Sequence, residues 1–205
     1  MAGAGPSQEA LERLIEARLQ PGADREAIDR KIWERFGETW AVVFTDLVGF
    51  SKRTRDFGII HFLSVIHQKR RLLAPVVDEY SGLILKQEAD SWLVLFRRPE
   101  QALECMIEAQ RICERYNAGR PEEDRVMLCV GIGYGEMLRI GDHDVWGEEV
   151  NYASKLGEDI ARHGEILLTP AASDAVEAPA LGVGVSRVEK ADGFPPVYYK
   201  VDYTL

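Results

Sequence analysis

Apolar residues change their spacing several times along this chain, and each change predicts an element. Up to about residue 37 the spacing is helical. Leu11, Leu14, Ile15 and Leu19 form one stripe behind a capping Ser7, stopped by Pro21-Gly22, and Ile28, Ile32 and Phe36 form a second behind Asp24, stopped by Gly37. From Trp40 the run WAVVFTDL is nearly all apolar and rich in β-branched residues, which predicts a strand covered on both faces. A long helix is predicted from about Ser51 to Tyr80, with Ile59, Phe62, Leu63, Ile66, Leu73 and Val76 inward and Ser81-Gly82 as its turn. LILKQEA and SWLVLF read as a hairpin with Ala89-Asp90 at its tip.

Beyond the hairpin, 99–117 predicts a helix that buries Ala102, Leu103, Met106, Ile107, Ala109 and Ile112. VMLCVGIGYGEMLRI reads as a strand, a glycine-rich bend and a second strand. Glu148 to His163 reads as a helix, EILLT as a strand, AASDAV as a short helix and PPVYYKVDY as a last strand. The order strand, helix, strand, strand, helix, strand predicts an α+β fold, a ferredoxin-like αβ sandwich. The expected organisation is one domain over 38–205 behind a helical extension over 1–37. That extension must bury its stripes on the domain or on a second copy.

The length, 205 residues, fits one domain with an appendage. Lys and Arg total 25 against 34 Asp and Glu, a net charge of −9, which argues against nucleic acid or an anionic membrane as a general partner. No apolar run approaches the ~20 residues of a membrane helix, and the opening MAGAGPSQEALERL lacks the apolar stretch of a signal peptide. Cys105, Cys113 and Cys129 lack metal-site spacing, so a reduced, cytoplasmic setting is expected, with the two helical cysteines as core or boundary residues.

Two aspartates are placed where a charge needs a reason. Asp46 ends the buried strand just before Val48-Gly49-Phe50, and Asp90 sits at the tip of an otherwise apolar hairpin. Two carboxylates at neighbouring strand ends repel each other, and a divalent cation relieves that repulsion. Taken singly, Asp46 also reads as a helix cap and Asp90 as a turn residue. Asn151 and Lys155, four apart on one helix, share a face.

FTDLVGFS, LKQEADSWLVLF, GIGYGE and VWGEEVNYASKL, in this order and spacing, resemble the successive motifs of the class III nucleotidyl cyclases, from about Trp40 to Tyr203. These enzymes convert a nucleoside triphosphate to a 3′,5′-cyclic nucleotide and pyrophosphate. The resemblance implies that Asp46 and Asp90, with the carbonyl of Leu47, bind two divalent cations, Mg²⁺ or Mn²⁺. It implies that the backbone of Val48, Gly49 and Phe50 meets phosphate oxygens, that Lys86 and Asp144 read adenine, and that Lys190 binds the terminal phosphates. Asn151 would orient the ribose. Lys155 falls where an arginine usually contacts the α-phosphate, and Ala89 where glycine is common, so slow turnover is expected. The implied substrate is ATP and the implied assembly a head-to-tail homodimer with shared sites. A cyclase for GTP or a pyrimidine triphosphate, and an inactive nucleotide-binding dimerisation module, are the alternatives.

Overall fold

Four consecutive buried positions at 40–43, followed by alternation to residue 47, mark the central strand of the molecule, and the other elements assemble around it. The computed structural model describes residues 6–189 and 195–204, with only the backbone at Phe50 and Ser51. Helices α1 (Gln8–Leu19) and α2 (Arg25–Phe36) lead directly into β1 (Gly37–Leu47). There follow α3 (Phe50–Phe57), α4 (Ile59–Glu79), β2 (Leu83–Glu88), β3 (Ser91–Phe96), α5 (Pro99–Asn117), β4 (Leu128–Ile140), β5 (Asp144–Trp146) and α6 (Glu148–Ser154). A π-helical turn (Lys155–Ile160), β6 (Ile166–Leu168), α7 (Pro170–Ala175), β7 (Gly184–Glu189) and β8 (Val197–Asp202) complete the chain.

The strands form one sheet in the order β2-β3-β1-β4-β6-β8-β7, with β5 folded back on β4. β1 runs antiparallel to both β3 and β4, and β4 pairs with β6 in parallel. Ala41, Val43 and Leu47 face one side, where they meet Phe62, Leu73, Leu103 and Met106 of α4 and α5. Trp40 and Val42 face the other, packed with Val150 and Ala153 of α6. This is the α+β sandwich that the element order predicts. The helical lead-in docks on the far end of β4, where Ala10, Ile32 and Phe36 bury Ile140. Asp24 caps α2 as expected, accepting from the Ala27 amide at 3.0 Å.

Several expectations need correction. The helix over 51–80 is broken at Gly58, whose φ of 86° is open to glycine at little cost. Within α4 itself Ile59 and Leu63 are exposed, and Val65 and Lys69 join Phe62, Leu73 and Val76 on a buried stripe turned from the expected one. The glycine-rich stretch is no bend, because β4 runs through it without interruption. Its glycines instead admit α6: a Cβ on Gly131 would lie 2.2 Å from the Ala153 carbonyl oxygen, and one on Gly133 2.6 Å from that of Glu149. The helix over 148–163 stays α-helical only to Ser154 and then widens into the π-turn, which sets Gly157 against the backbone of Phe44 and Gly131. β1 begins at Gly37 rather than Trp40, and the apolar pattern predicts neither β5 nor β7.

Candidate active site

Asp46 lies at the carboxyl end of β1, on the sheet face that carries Phe44, and is half-buried. The β2–β3 turn brings Asp90 beside it, because β3 pairs with β1 in a register that sets Trp92 opposite Thr45. The next residue, Ser91, donates its hydroxyl to Asp46 Oδ1 at 2.9 Å. Asp90 is 7% exposed, and its Oδ2 is buried without a hydrogen-bond partner. Burial, and after it the neighbouring Asp46 charge, push the Asp90 carboxyl up to about 6. Such a carboxylate, desolvated, with one oxygen unpartnered and repelled by a second carboxylate, is suited to a divalent cation. Among the described residues no cluster of three or more His, Cys, Asp or Glu forms a closed metal cage. Two carboxylates and a main-chain oxygen suit Mg²⁺ or Mn²⁺, which fill their shells with water and substrate phosphate.

Immediately beyond Asp46 the chain turns at Val48-Gly49, the Val48 amide is tied to the Met127 carbonyl at 2.9 Å, and α3 starts at Phe50. The amides of 48–50 therefore lie next to the carboxylates, at the start of a helix. The side chain of Phe50 and the whole of Lys190 lie outside the described residues.

On the same face of the sheet, Lys86 of β2 and Asp144 of β5 meet across the gap between the two hairpins, Nζ to Oδ2 at 2.8 Å. Both side chains are about one-third exposed, at 35% and 29%. They line a cavity of about 140 Å³ with Phe44, Ser91, Val150 and Glu158. Liquid water would fill it with roughly five molecules, which is room for a flat heterocycle but not for its phosphates. Ser91 touches both the cavity and Asp46, so the two parts of the site adjoin. Larger hollows of about 340 and 440 Å³ between the N-terminal helices and β5 share Leu11, Ile15 and Trp146; the smaller shares Asp144 with the base-sized cavity, and neither is lined by Asp46 or Asp90.

Asn151 and Lys155 are not brought to this cavity. Both are exposed on α6 and the π-turn, and Lys155 Nζ is 2.6 Å from Asp159 Oδ2. Glu149, two residues before Asn151, fixes α6 to the sheet, accepting from the Tyr134 amide at 3.1 Å and the Thr169 hydroxyl at 2.5 Å.

Sequence reasoning missed Ser91, Glu158 and Lys69. Ser91 carries no motif signal of its own. Lys69 sits in the basic run HQKRR, yet its spacing from Phe62, Val65 and Leu73 is that of a core position, and it is fully buried. Its burial drives the ammonium down to about 8 against the opposing charges of Asp46 and Asp90.

The model of the adenylate and guanylate cyclase catalytic domain matches residues 34–190. The chain belongs to this family. Among relatives of this cyclase domain, the serine/threonine-protein kinase pkn2 of Myxococcus xanthus is 32% identical over 130 residues, 63% of this chain and 15% of the kinase. Putative adenylate cyclase 3 of Rhizobium meliloti is 30% identical over 130 residues, 63% of this chain and 22% of that protein. The chain thus spans less than a quarter of the length of either relative. An adenylate/guanylate cyclase/hydrolase structure from Silicibacter pomeroyi superposes on the cyclase domain with a TM-score of 0.67 at 22% identity, covering 82% of this chain and 98% of that one. Among the described residues no helix is long and apolar enough to cross a membrane.

Proposed function

We propose that this cyclase domain converts ATP to 3′,5′-cyclic AMP and pyrophosphate at sites completed by a second copy of the chain. The observation that carries the choice of base is the Lys86–Asp144 pair, 2.8 Å apart on the wall of a base-sized cavity. Adenine offers a ring-nitrogen acceptor and an amino donor, which a lysine and a carboxylate satisfy together. Guanine reverses the pattern and would leave both groups unpaired.

With the base held there, the phosphates extend past Ser91 towards Asp46 and Asp90. These two carboxylates, with the Leu47 carbonyl, would hold the Mg²⁺ or Mn²⁺ ions. Such ions make the ribose 3′-hydroxyl more acidic and offset the charge of the departing pyrophosphate. Of the three expected amides, those of Gly49 and Phe50 take phosphate oxygens at the start of α3, the Val48 amide being held by the Met127 carbonyl, and Lys190 takes the terminal phosphates. The 3′-oxygen bonds to the α-phosphorus, the bond from that phosphorus to the bridging oxygen breaks, and the hydroxyl proton leaves to solvent. Asn151 orients the ribose, and the Lys155 ammonium meets the charge growing on the α-phosphate.

Neither Asn151 nor Lys155 lines the cavity of its own chain, and both are exposed. This supports a head-to-tail homodimer in which they serve the partner's nucleotide. The helical extension over 1–37, packed at the end of β4 near β5, is then placed to bias how the two copies meet.

Lys155 in place of the implied arginine, together with Ala89 at φ 48° in place of glycine, favours a second reading, a nucleotide-binding module with little or no turnover. One assay separates the readings. Purified protein is offered each nucleoside triphosphate with Mn²⁺ or Mg²⁺, and cyclic product is detected by mass. Product from ATP in clear excess supports the proposal. Product chiefly from GTP or a pyrimidine triphosphate overturns the base assignment, and tight ATP binding without product under either metal supports the module.

A further inference from the structure

One buried cation beside this site has no part in the scheme above. Lys69 lies in the middle of α4, on a stripe whose other buried members, Phe62, Val65, Leu73, Val76 and Val77, are all apolar. An ammonium in such a place is costly unless its donors are taken up. They are taken up by main-chain oxygens: Nζ donates to the Thr45 carbonyl at 3.4 Å and, in a very short contact, to the Asp90 carbonyl. The same ammonium lies 5.1 Å from the centre of the Trp92 ring. Thr45 immediately precedes Asp46, so a single side chain ties together the two backbone segments that carry the paired carboxylates.

Two further observations give this tie a purpose. Lys69 takes the Asp90 carbonyl and leaves Oδ2 of the same residue unpartnered, so it anchors Asp90 without competing for its carboxylate. The preceding Ala89 has φ 48°, a left-handed conformation that alanine adopts reluctantly and glycine freely. The hairpin tip is therefore held in shape against the preference of its own residue.

We propose that Lys69 is a positioning residue for the divalent-cation site, fixing the separation of Asp46 and Asp90 by clamping the Thr45 and Asp90 carbonyls from the helical layer. This rests on the reading of those carboxylates as metal ligands. The test uses the full chain, with Mn²⁺ binding followed by electron paramagnetic resonance in the presence of a nonhydrolysable ATP analogue, beside cyclase activity and thermal unfolding. Lys69→Met keeps the length and apolar bulk but removes the donors. Its Mn²⁺ affinity is expected to fall about tenfold or more, as for other groups that orient metal ligands. The Mn²⁺ concentration for half-maximal activity rises in parallel, while KM for ATP at saturating Mn²⁺ changes by less than about twofold.

Adding Ala89→Gly relieves the strained tip and is expected to return part of the lost Mn²⁺ affinity, a rescue that a lysine needed only for core packing would not show. If Lys69→Met does not fold, Lys69→Gln, with a shorter neutral donor, is expected to show a smaller shift in the same direction. Folded Lys69 variants that bind Mn²⁺ as tightly as wild type overturn this inference alone. Wild-type protein that takes up no Mn²⁺ overturns the metal reading and the inference with it.

Discussion

Lys155 stands where the resemblance to the cyclases implies arginine, and its ammonium rests 2.6 Å from Asp159 on the exposed π-turn. An exposed pair of this kind is worth well under ~1 kcal/mol, so it does not fix the lysine against a competing phosphate. The difference from arginine lies in geometry. A guanidinium offers a planar fork of donors to two oxygens of one phosphate, whereas an ammonium acts as a point charge. Lys155→Arg is therefore expected to raise kcat with ATP by about tenfold, with KM within a factor of ~2, because the added contact strengthens mainly as charge develops. Steady-state kinetics at saturating Mn²⁺ measure this, and an unchanged or lower kcat would remove Lys155 from the α-phosphate.

At the level of elements, the close seating of α6 on β4 is what delivers Asn151 and Lys155 to the molecular surface. Gly131 makes that approach possible. An added Cβ would lie 2.2 Å from the Ala153 carbonyl oxygen and 2.4 Å from the Gly157 nitrogen, both of them backbone atoms that cannot swing aside. Gly131→Ala is expected to cost about 3 kcal/mol, a fall in Tm of roughly 10 °C for a chain of this size, with activity lost. Gly58→Ala, where a Cβ meets nothing within 4 Å, should cost only the strain of a backbone region, φ 86° and ψ 158°, that is essentially glycine's own, about 2 kcal/mol. Equal effects of the two in thermal melts would contradict this account. These glycines also mark the limit of what the sequence reveals. Its periodicities yield the sandwich apart from β5 and β7, and its apolar runs place Asp46 at the end of a buried strand and Asp90 at the tip of a hairpin. A glycine that turns a chain and one that admits a helix look alike in sequence, so the β4 stretch reads as a bend. Gly58 lies within a helical pattern that continues on both sides, so the break does not show, and the basic run HQKRR masks Lys69 at a position whose spacing is that of the core. Lys86 and Asp144 are 58 positions apart, and only the return of β5 along β4 brings them into contact.

For the molecule as a whole, the core can be probed through its thiols. Cys105, Cys113 and Cys129 are free and buried, and burial pushes each thiol up to about 12. Against an ordinary value of 9.0, that reduces the reactive thiolate on the order of a thousandfold near neutral pH, before access is considered. Native protein at pH 8 is thus expected to leave all three unreacted towards an aromatic disulfide reagent over minutes, and to titrate all three in guanidinium chloride. Rapid labelling of the native state would show that the layer beneath α5 opens far more readily than its packing implies.

The strictest test of the assembly follows from where the proposed residues lie. In a head-to-tail dimer each site takes Asp46 from one copy and Asn151 from the other. Asp46→Ala and Asn151→Ala homodimers each lack one essential group at both sites, so both are expected to be inactive. When the variants are mixed and allowed to exchange, about half the dimers are mixed. Each of these holds one intact site and one that lacks both groups, so about a quarter of wild-type activity should return. Wild-type chains would show no such gain on mixing, and size-exclusion chromatography with light scattering confirms that dimers are present. If each chain instead supplied a complete site of its own, mixing two dead variants would restore nothing. Recovery near one quarter therefore identifies Asn151 as a group given across the interface, and it explains why Asn151 and Lys155 face away from the cavity of the chain that carries them.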